Sequence, residues 1–207
     1  MFQLLKNLDI HLFYLINRNG QNALFDHLMP FISNERNFYI PIALVWLFLM
    51  IKKSVKTRVV ALAVIGLIAC SDQLCTLVLK PAFSRLRPYD AICDVRVYKG
   101  SDAGWQITSG DKTKKTGNTK SMPSAHATNI VAAAVFLSYY FRRIWPLMLL
   151  ISLAVGYSRI YLGVHYPLDV VAGAATGALL AWGAIWITDR VFNKLAPDVL
   201  NKNNVET

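Results

Sequence analysis

Two histidines, one carboxylate and the cations Lys80, Arg87 and Arg159 fall in three short segments, far apart in a chain of 207 residues. The segments are Lys80 to Pro88 (KPAFSRLRP), Pro123 to His126 (PSAH) and Ser158 to Asp169 (SRIYLGVHYPLD). His165 and Asp169 are four residues apart at the expected start of a helix, which puts them on one face. A carboxylate beside an imidazole fixes its tautomer, and the other ring nitrogen can then attack phosphorus. Arg159 offers a planar fork of donors that matches phosphate oxygens. Lys80 and Arg87 bracket a segment in which Pro81 is expected to stop a helix and Pro88 to restrict Arg87. In the PSAH segment, Ser124 caps a helix or donates to a phosphate oxygen. The free N–H groups of that helix, Ala125's among them, face where an anion would sit. His126 can then protonate a leaving oxygen. The chemistry within reach is capture of a phosphate and cleavage of its ester through a histidine nucleophile. Taken singly, each segment also has a plain reading: a capping Asp, a snorkelling Arg, basic residues flanking a span, a simple helix cap.

The elements that must position these residues are apolar. Hydrophobic residues make up 55% of the chain and charged residues only 16%, against roughly 25% charged in soluble domains. Mean hydropathy is +0.37. The composition is that of an integral membrane protein of a single domain spanning residues 1–207. Net charge is +10, but the basic residues sit mainly in loops between apolar runs. Anionic lipid headgroups or a phosphate ligand explain that placement better than nucleic acid. The three cysteines, Cys70, Cys75 and Cys93, form no CxxC or Cys/His metal spacing. A Cys75–Cys93 bridge is one pairing they permit. No cleavable signal segment is evident, because Lys6, Asp9 and His11 interrupt the first apolar stretch.

Residues 1–35 are expected to form amphipathic helices lying in the membrane interface. Leu4, Leu5, Leu8, Leu12 and Leu15 recur at helical spacing, with Lys6, Asp9 and Asn17 elsewhere on the wheel. The competing pattern is a crossing helix over residues 8–32, which would place Asn17, Arg18, Asn19 and Gln21 at mid-membrane. The core, residues 36–190, holds five runs: Phe38 to Ile51, Val59 to Leu79, Ala127 to Tyr140, Ile144 to Leu162 and Leu168 to Ile187. The fold class is therefore an all-α membrane bundle of five crossing helices, or six if residues 8–32 cross. A long loop, residues 81–121, joins the second and third runs, and a polar tail occupies residues 191–207. The loop carries Lys112, Lys114, Lys115 and Lys120. Asp72, inside the second run, serves either function or an interhelical hydrogen bond. Gly173 and Gly177 form a GxxxG suited to close helix packing.

Following the chain through five runs puts all three segments on one side of the membrane. The second run ends at Lys80 and the third begins at His126. The fourth ends near Ser158–Leu162 and the fifth begins near His165. The opposite side carries Lys52, Lys53, Lys56, Arg58, Arg142 and Arg143 in short loops. The positive-inside rule makes that side cytoplasmic and turns the three segments outward.

In order and internal spacing the segments resemble the signature of the type 2 phosphatidic acid phosphatase superfamily: K-x6-R-P, then P-S-G-H, then S-R-x5-H-x3-D. The resemblance covers roughly residues 55–187 and implies a small bacterial lipid phosphatase in the inner (cell) membrane, its site facing the periplasm or outside. It implies that His165 becomes a phosphohistidine, that Asp169 orients it and that His126 protonates the leaving group. It further implies that Lys80, Arg87, Ser124, the Ala125 N–H and Arg159 bind the phosphate, with no metal and no cofactor. Candidate substrates under that resemblance are undecaprenyl diphosphate, phosphatidylglycerol phosphate, phosphatidic acid and lipid A phosphate. One departure is Ala125, where the signature has Gly; the backbone N–H is retained. A phosphotransferase using the same histidine, or a non-catalytic lipid-binding protein, are the alternatives. The vanadate-dependent peroxidases that share the signature are soluble, which the apolar runs here are not.

Overall fold

The computed structural model describes residues 2–52, 54–108 and 120–195. The expected basic cluster at Lys112, Lys114 and Lys115, and the tail from residue 196 onward, lie outside the described residues. Helix α1 (Phe2–Tyr14) runs into a π-helical turn at Leu15–Asn19, and α2 (Ala23–Ser33) follows. Then come α3 (Tyr39–Lys52), α4 (Val55–Gln73), a second π-helical turn (Leu74–Leu79), α5 (Lys80–Phe83) and α6 (Pro88–Ala91). Strands β1 (Arg96–Tyr98) and β2 (Trp105–Ile107) form an antiparallel hairpin, and α7 (Ala125–Tyr140), α8 (Trp145–Tyr161) and α9 (Pro167–Leu195) complete the bundle.

Helix α7 is the centre, packed against α4, α8 and α9. Its contact with α9 depends on two glycines. A Cβ on Gly173 would sit 2.6 Å from the Ser124 carbonyl oxygen, and one on Gly177 would sit 2.3 Å from that of Thr128. The expected GxxxG packing is therefore present, backbone against side-chain-free backbone. Val60, Leu67, Ala132, Phe136, Ala181 and Phe192 fill the space between α4, α7 and α9. The outer faces are apolar too: Leu62, Ile65, Leu77, Leu150, Leu153, Leu179 and Trp182 are all exposed. Such a surface suits hydrocarbon rather than water. Among the described residues, three helical stretches, Val55–Phe83, Arg142–Tyr161 and Pro167–Lys194, are long and apolar enough to cross a membrane. Helices α3 and α7, of 14 and 16 residues, are shorter.

The structure differs from the sequence expectation at four places. Pro81 does not stop the helix at Lys80. The wider π turn sends the Lys80 N–H to the Cys75 carbonyl, five residues back, and Pro81 sits in the first turn of α5, where no donor is needed. Termination falls instead at Ser84, in the left-handed region at φ 47°. Helix α9 continues past Arg190 to Leu195. All three cysteines are free thiols: Cys75 is buried and donates to Thr128 Oγ1 at 3.2 Å, and Cys93 is exposed. Finally, α1 presents its leucines outward, while Asp9, Phe13 and Asn17 are buried against the bundle. Where the surroundings are apolar, the leucine stripe faces them and the polar residues turn inward.

The loop expected at residues 81–121 has internal order. Val97 of β1 and Val95 just before it are buried, and Arg96 grips Asp26 of α2 through two bonds of 2.6 and 2.7 Å. Asn17 donates to the Arg96 and Tyr161 carbonyls and accepts the Arg96 N–H. The hairpin thus fastens α1 and α2 to the end of α8.

Replacing Gly177 by Ala tests the α7–α9 contact. On a free helix the change would stabilise by about 1 kcal/mol; here overpacking should destabilise by about 1–3 kcal/mol. Thermal unfolding in detergent should show a lower midpoint, and an unchanged or higher one would contradict the close approach.

Candidate active site

Backbone hydrogen bonds join the three sequence segments at one end of the bundle. The Ser121 N–H donates to the Arg85 carbonyl at 2.7 Å, and Leu86 bridges Lys120, so KPAFSRLRP lies against the approach to PSAH. The Ser124 N–H donates to the Asp169 carbonyl at 3.0 Å, joining the start of α7 to the start of α9. The N–H groups of Val164 and His165 both return to the Arg159 carbonyl, at 3.2 and 3.3 Å, which folds the α8–α9 turn back on itself. Gly163, at φ +77°, makes that turn. A Cβ there would meet the Arg96 carbonyl oxygen at 2.4 Å, so the hairpin closes on the turn only because the residue is glycine.

The side chains gathered there are mostly cationic. Lys80, Arg87 and Arg159 lie within electrostatic reach of one another, and all three reach His126. Among the described residues, none of the three enters an ion pair; the pairs present are Arg85 with Asp9 and Asp169, Arg96 with Asp26, and His165 facing Asp169. Buried side-chain nitrogens without a hydrogen-bond partner, again among the described residues, are Arg87 Nε, Arg159 Nε and His165 Nδ1. Unpartnered buried donors are costly, and an anion with several acceptor oxygens would satisfy them. Arg159 is steadied by one bond to Ser33 Oγ at the end of α2. Ser124 is fully buried as the N-cap of α7, accepting the Ala127 N–H at 3.5 Å. Ala125 opens that helix, so its N–H is among those without an intrahelical partner. No group of three His, Cys, Asp or Glu that could hold a metal occurs among the described residues.

His165 lies in the turn before α9, not in its first turn, because the helix begins at Pro167. It still faces Asp169, with Nδ1 3.7 Å from Oδ2. That is longer than a hydrogen bond. The Asp169 carboxylate is fully buried and held elsewhere as well. Oδ2 accepts the Tyr166 N–H at 2.8 Å and the Ser121 hydroxyl, and Oδ1 accepts Arg85 at 2.8 Å. Burial pushes the His165 imidazole down to about 4; the nearby Asp169 opposes that shift, and Arg159 and Arg87 reinforce it. A neutral ring is the form that can attack phosphorus.

All eight expected residues, Lys80, Arg87, Ser124, Ala125, His126, Arg159, His165 and Asp169, lie on the segments joined at this end. Four others were not foreseen: Arg85, Ser121, Asp9 and Ser33. Arg85 and Ser121 adjoin the motifs and could have been found by asking what satisfies a buried Asp169. Asp9 and Ser33 carry no local signal.

Comparison with known proteins agrees. The PAP2 superfamily profile matches residues 61–193. Lipid A 4'-phosphatase of Bacteroides thetaiotaomicron is 31% identical over 208 residues, covering 96% of this chain and 84% of that one. Undecaprenyl-diphosphatase of Sulfolobus acidocaldarius is 29% identical over 184 residues, covering 86% and 78%. The crystal structure of Aquifex aeolicus LpxE superposes with a TM-score of 0.64 at 27% identity, covering 86% of this chain and 94% of that one. A Bacillus subtilis PAP2-type phosphatidylglycerolphosphate phosphatase shares the fold, with a TM-score of 0.62 at 19% identity over 93% and 88%. The chain belongs to the PAP2 superfamily and is a membrane phosphatase.

The depressed His165 value predicts a pH effect on stability. Folding favours the neutral ring, so this contribution is complete above pH 6.5 and is lost as pH falls from 6.5 toward 4. Acid unfolding of His165→Gln should therefore be shallower across that window. Identical slopes for parent and variant would contradict the burial of a neutral imidazole.

Proposed function

We propose that this phosphatase hydrolyses a phosphorylated lipid through a phosphohistidine on His165. The observation that carries the proposal is the grouping of Lys80, Arg87 and Arg159, outside any ion pair among the described residues, around two histidines at one end of an apolar bundle. Lys80, Arg87, Arg159, the Ser124 hydroxyl and the Ala125 N–H hold the phosphate oxygens and stabilise the charge that builds in transfer. The Asp169 carboxylate orients the ring through Nδ1, and Nε2 attacks phosphorus. The bond from phosphorus to the leaving oxygen breaks, and His126 supplies that oxygen's proton. A water molecule then attacks the phosphohistidine, giving its proton to His126, and inorganic phosphate leaves.

The lipid tails reach the site from the bilayer. We infer a single domain with five crossing helices, α3 and α7 included, and α1 and α2 at the interface. The site faces outward from the cytoplasmic membrane, opposite the short loops with Lys56, Arg58, Arg142 and Arg143. Two relatives, from Bacteroides thetaiotaomicron and Porphyromonas gingivalis, bear the name lipid A 4'-phosphatase. Lipid A phosphate is accordingly the first substrate proposed, ahead of undecaprenyl diphosphate, phosphatidylglycerol phosphate and phosphatidic acid.

The test is phosphate release by the purified protein in detergent from these four lipids. Release should be fastest from lipid A. His165→Ala should abolish it, and His126→Ala should lower kcat by about 10²–10⁴-fold. Phosphorylated acceptor lipid with little free phosphate would replace hydrolysis by transfer, and undiminished release by His165→Ala would contradict the mechanism.

A further inference from the structure

Asp9, in the middle of α1, lies outside the matched family segment and is buried to 2% exposure. Its Oδ1 accepts the Leu168 N–H in the first turn of α9 at 2.8 Å. Its Oδ2 accepts Arg85 at 2.5 Å. The other arm of the same guanidinium donates to Asp169 Oδ1 at 2.8 Å. The guanidinium also lies 3.9 Å over the ring of Tyr166, the neighbour of His165. One cation thus joins two carboxylates whose side chains are fully buried, one from the N-terminal helix and one from the site.

The arrangement has a consequence for position. Asp169 must keep Oδ2 toward His165 Nδ1 while its other oxygen is held by Arg85. Arg85 in turn is stretched between two anions, which fixes where its fork points. With Asp9 neutral, its pull on Arg85 is lost, and closure of Arg85 onto Asp169 as a two-armed pair is opposed only by the Tyr166 and Ser121 bonds to Oδ2. Such closure would turn the carboxylate away from His165 and draw off its charge. Asp9 also anchors the α9 turn that carries Leu168, next to the His165–Pro167 bend.

We propose that Asp9 is a positioning residue for phosphoryl transfer, acting through Arg85 on Asp169 and through the Leu168 N–H on the first turn of α9. The N-terminal helix then belongs to the catalytic apparatus as well as to the membrane interface. The proposal rests on the roles given above to His165 and Asp169.

The test compares purified parent, Asp9→Asn, Asp9→Glu, Arg85→Lys, Arg85→Gln, the double variant D9N/R85Q and His165→Ala, each normalised to folded protein by its melting curve. Asp9→Asn keeps an oxygen for the Leu168 N–H but loses the charge. Its kcat should fall about 10–100-fold, the scale of a displacement near 1 Å, with KM within about twofold. Asp9→Glu should recover part of the loss, and D9N/R85Q should be no slower than Arg85→Gln alone. Arg85→Lys, whose ammonium lacks a two-armed fork, should be slowed like Asp9→Asn, and it carries the test if Asp9→Asn does not fold. Parental kcat in folded Asp9→Asn or Arg85→Lys, or additive losses in D9N/R85Q, would overturn the positioning role while a dead His165→Ala left the phosphohistidine reading standing. Activity surviving in His165→Ala would overturn both.

Discussion

Like charge held together at the end of an apolar bundle is the constraint on which the rest of this structure depends. Lys80, Arg87 and Arg159 come from three different parts of the chain and sense one another's fields. Two unit charges 4 Å apart interact by about 4 kcal/mol where the effective dielectric is near 20. Such a cluster must be forced together by packing and relieved by an anion. The α7–α9 glycine contact, the backbone bonds from Ser124 to Asp169 and from Ser121 to Arg85, and the clamped hairpin supply that force. Under the proposed function a phosphate supplies the relief, and a phosphoryl group in transfer, with charge spread over its oxygens, supplies more of it.

Charge is sorted so that this cluster stays open to a ligand. Buried Asp9 and Asp169 share Arg85, and Asp26 takes Arg96 together with the Tyr161 hydroxyl. These three carboxylates are therefore engaged by Arg85 and Arg96, and Lys80, Arg87 and Arg159 stay outside the ion pairs of the described residues. Burial is unequal as well. His165 is nearly sealed and kept neutral, while His126, at the mouth of α7, is only partly covered. The two histidines, proposed as acid and nucleophile, therefore differ in how far solvent and substrate can reach them.

That the chain is a membrane phosphatase was legible in the sequence because the motifs hold fixed spacings and alternate with long apolar runs. The GxxxG contact and the Ser124 cap were legible for the same reason: they are local patterns. Residues whose meaning depends on distant partners were not. Arg85 takes its meaning from the buried Asp169 it satisfies, 84 residues away. Asp9 looked like the wet side of an amphipathic helix, because an apolar solvent inverts the usual rule and turns leucines out and carboxylates in. The β1–β2 hairpin, two strands of three residues each, is too short to show a period. Pro81 signalled a stop that the π turn before it removed.

The most direct measurement is acid-avoiding quench of the enzyme during turnover of a lipid labelled in its phosphate, followed by peptide mapping of the label. The account predicts a base-stable, acid-labile phosphoryl group on His165, formed and lost fast enough to lie on the path to free phosphate, and absent in His165→Ala. Label on another residue, or turnover at the parental rate with no labelled protein at any time, would contradict it.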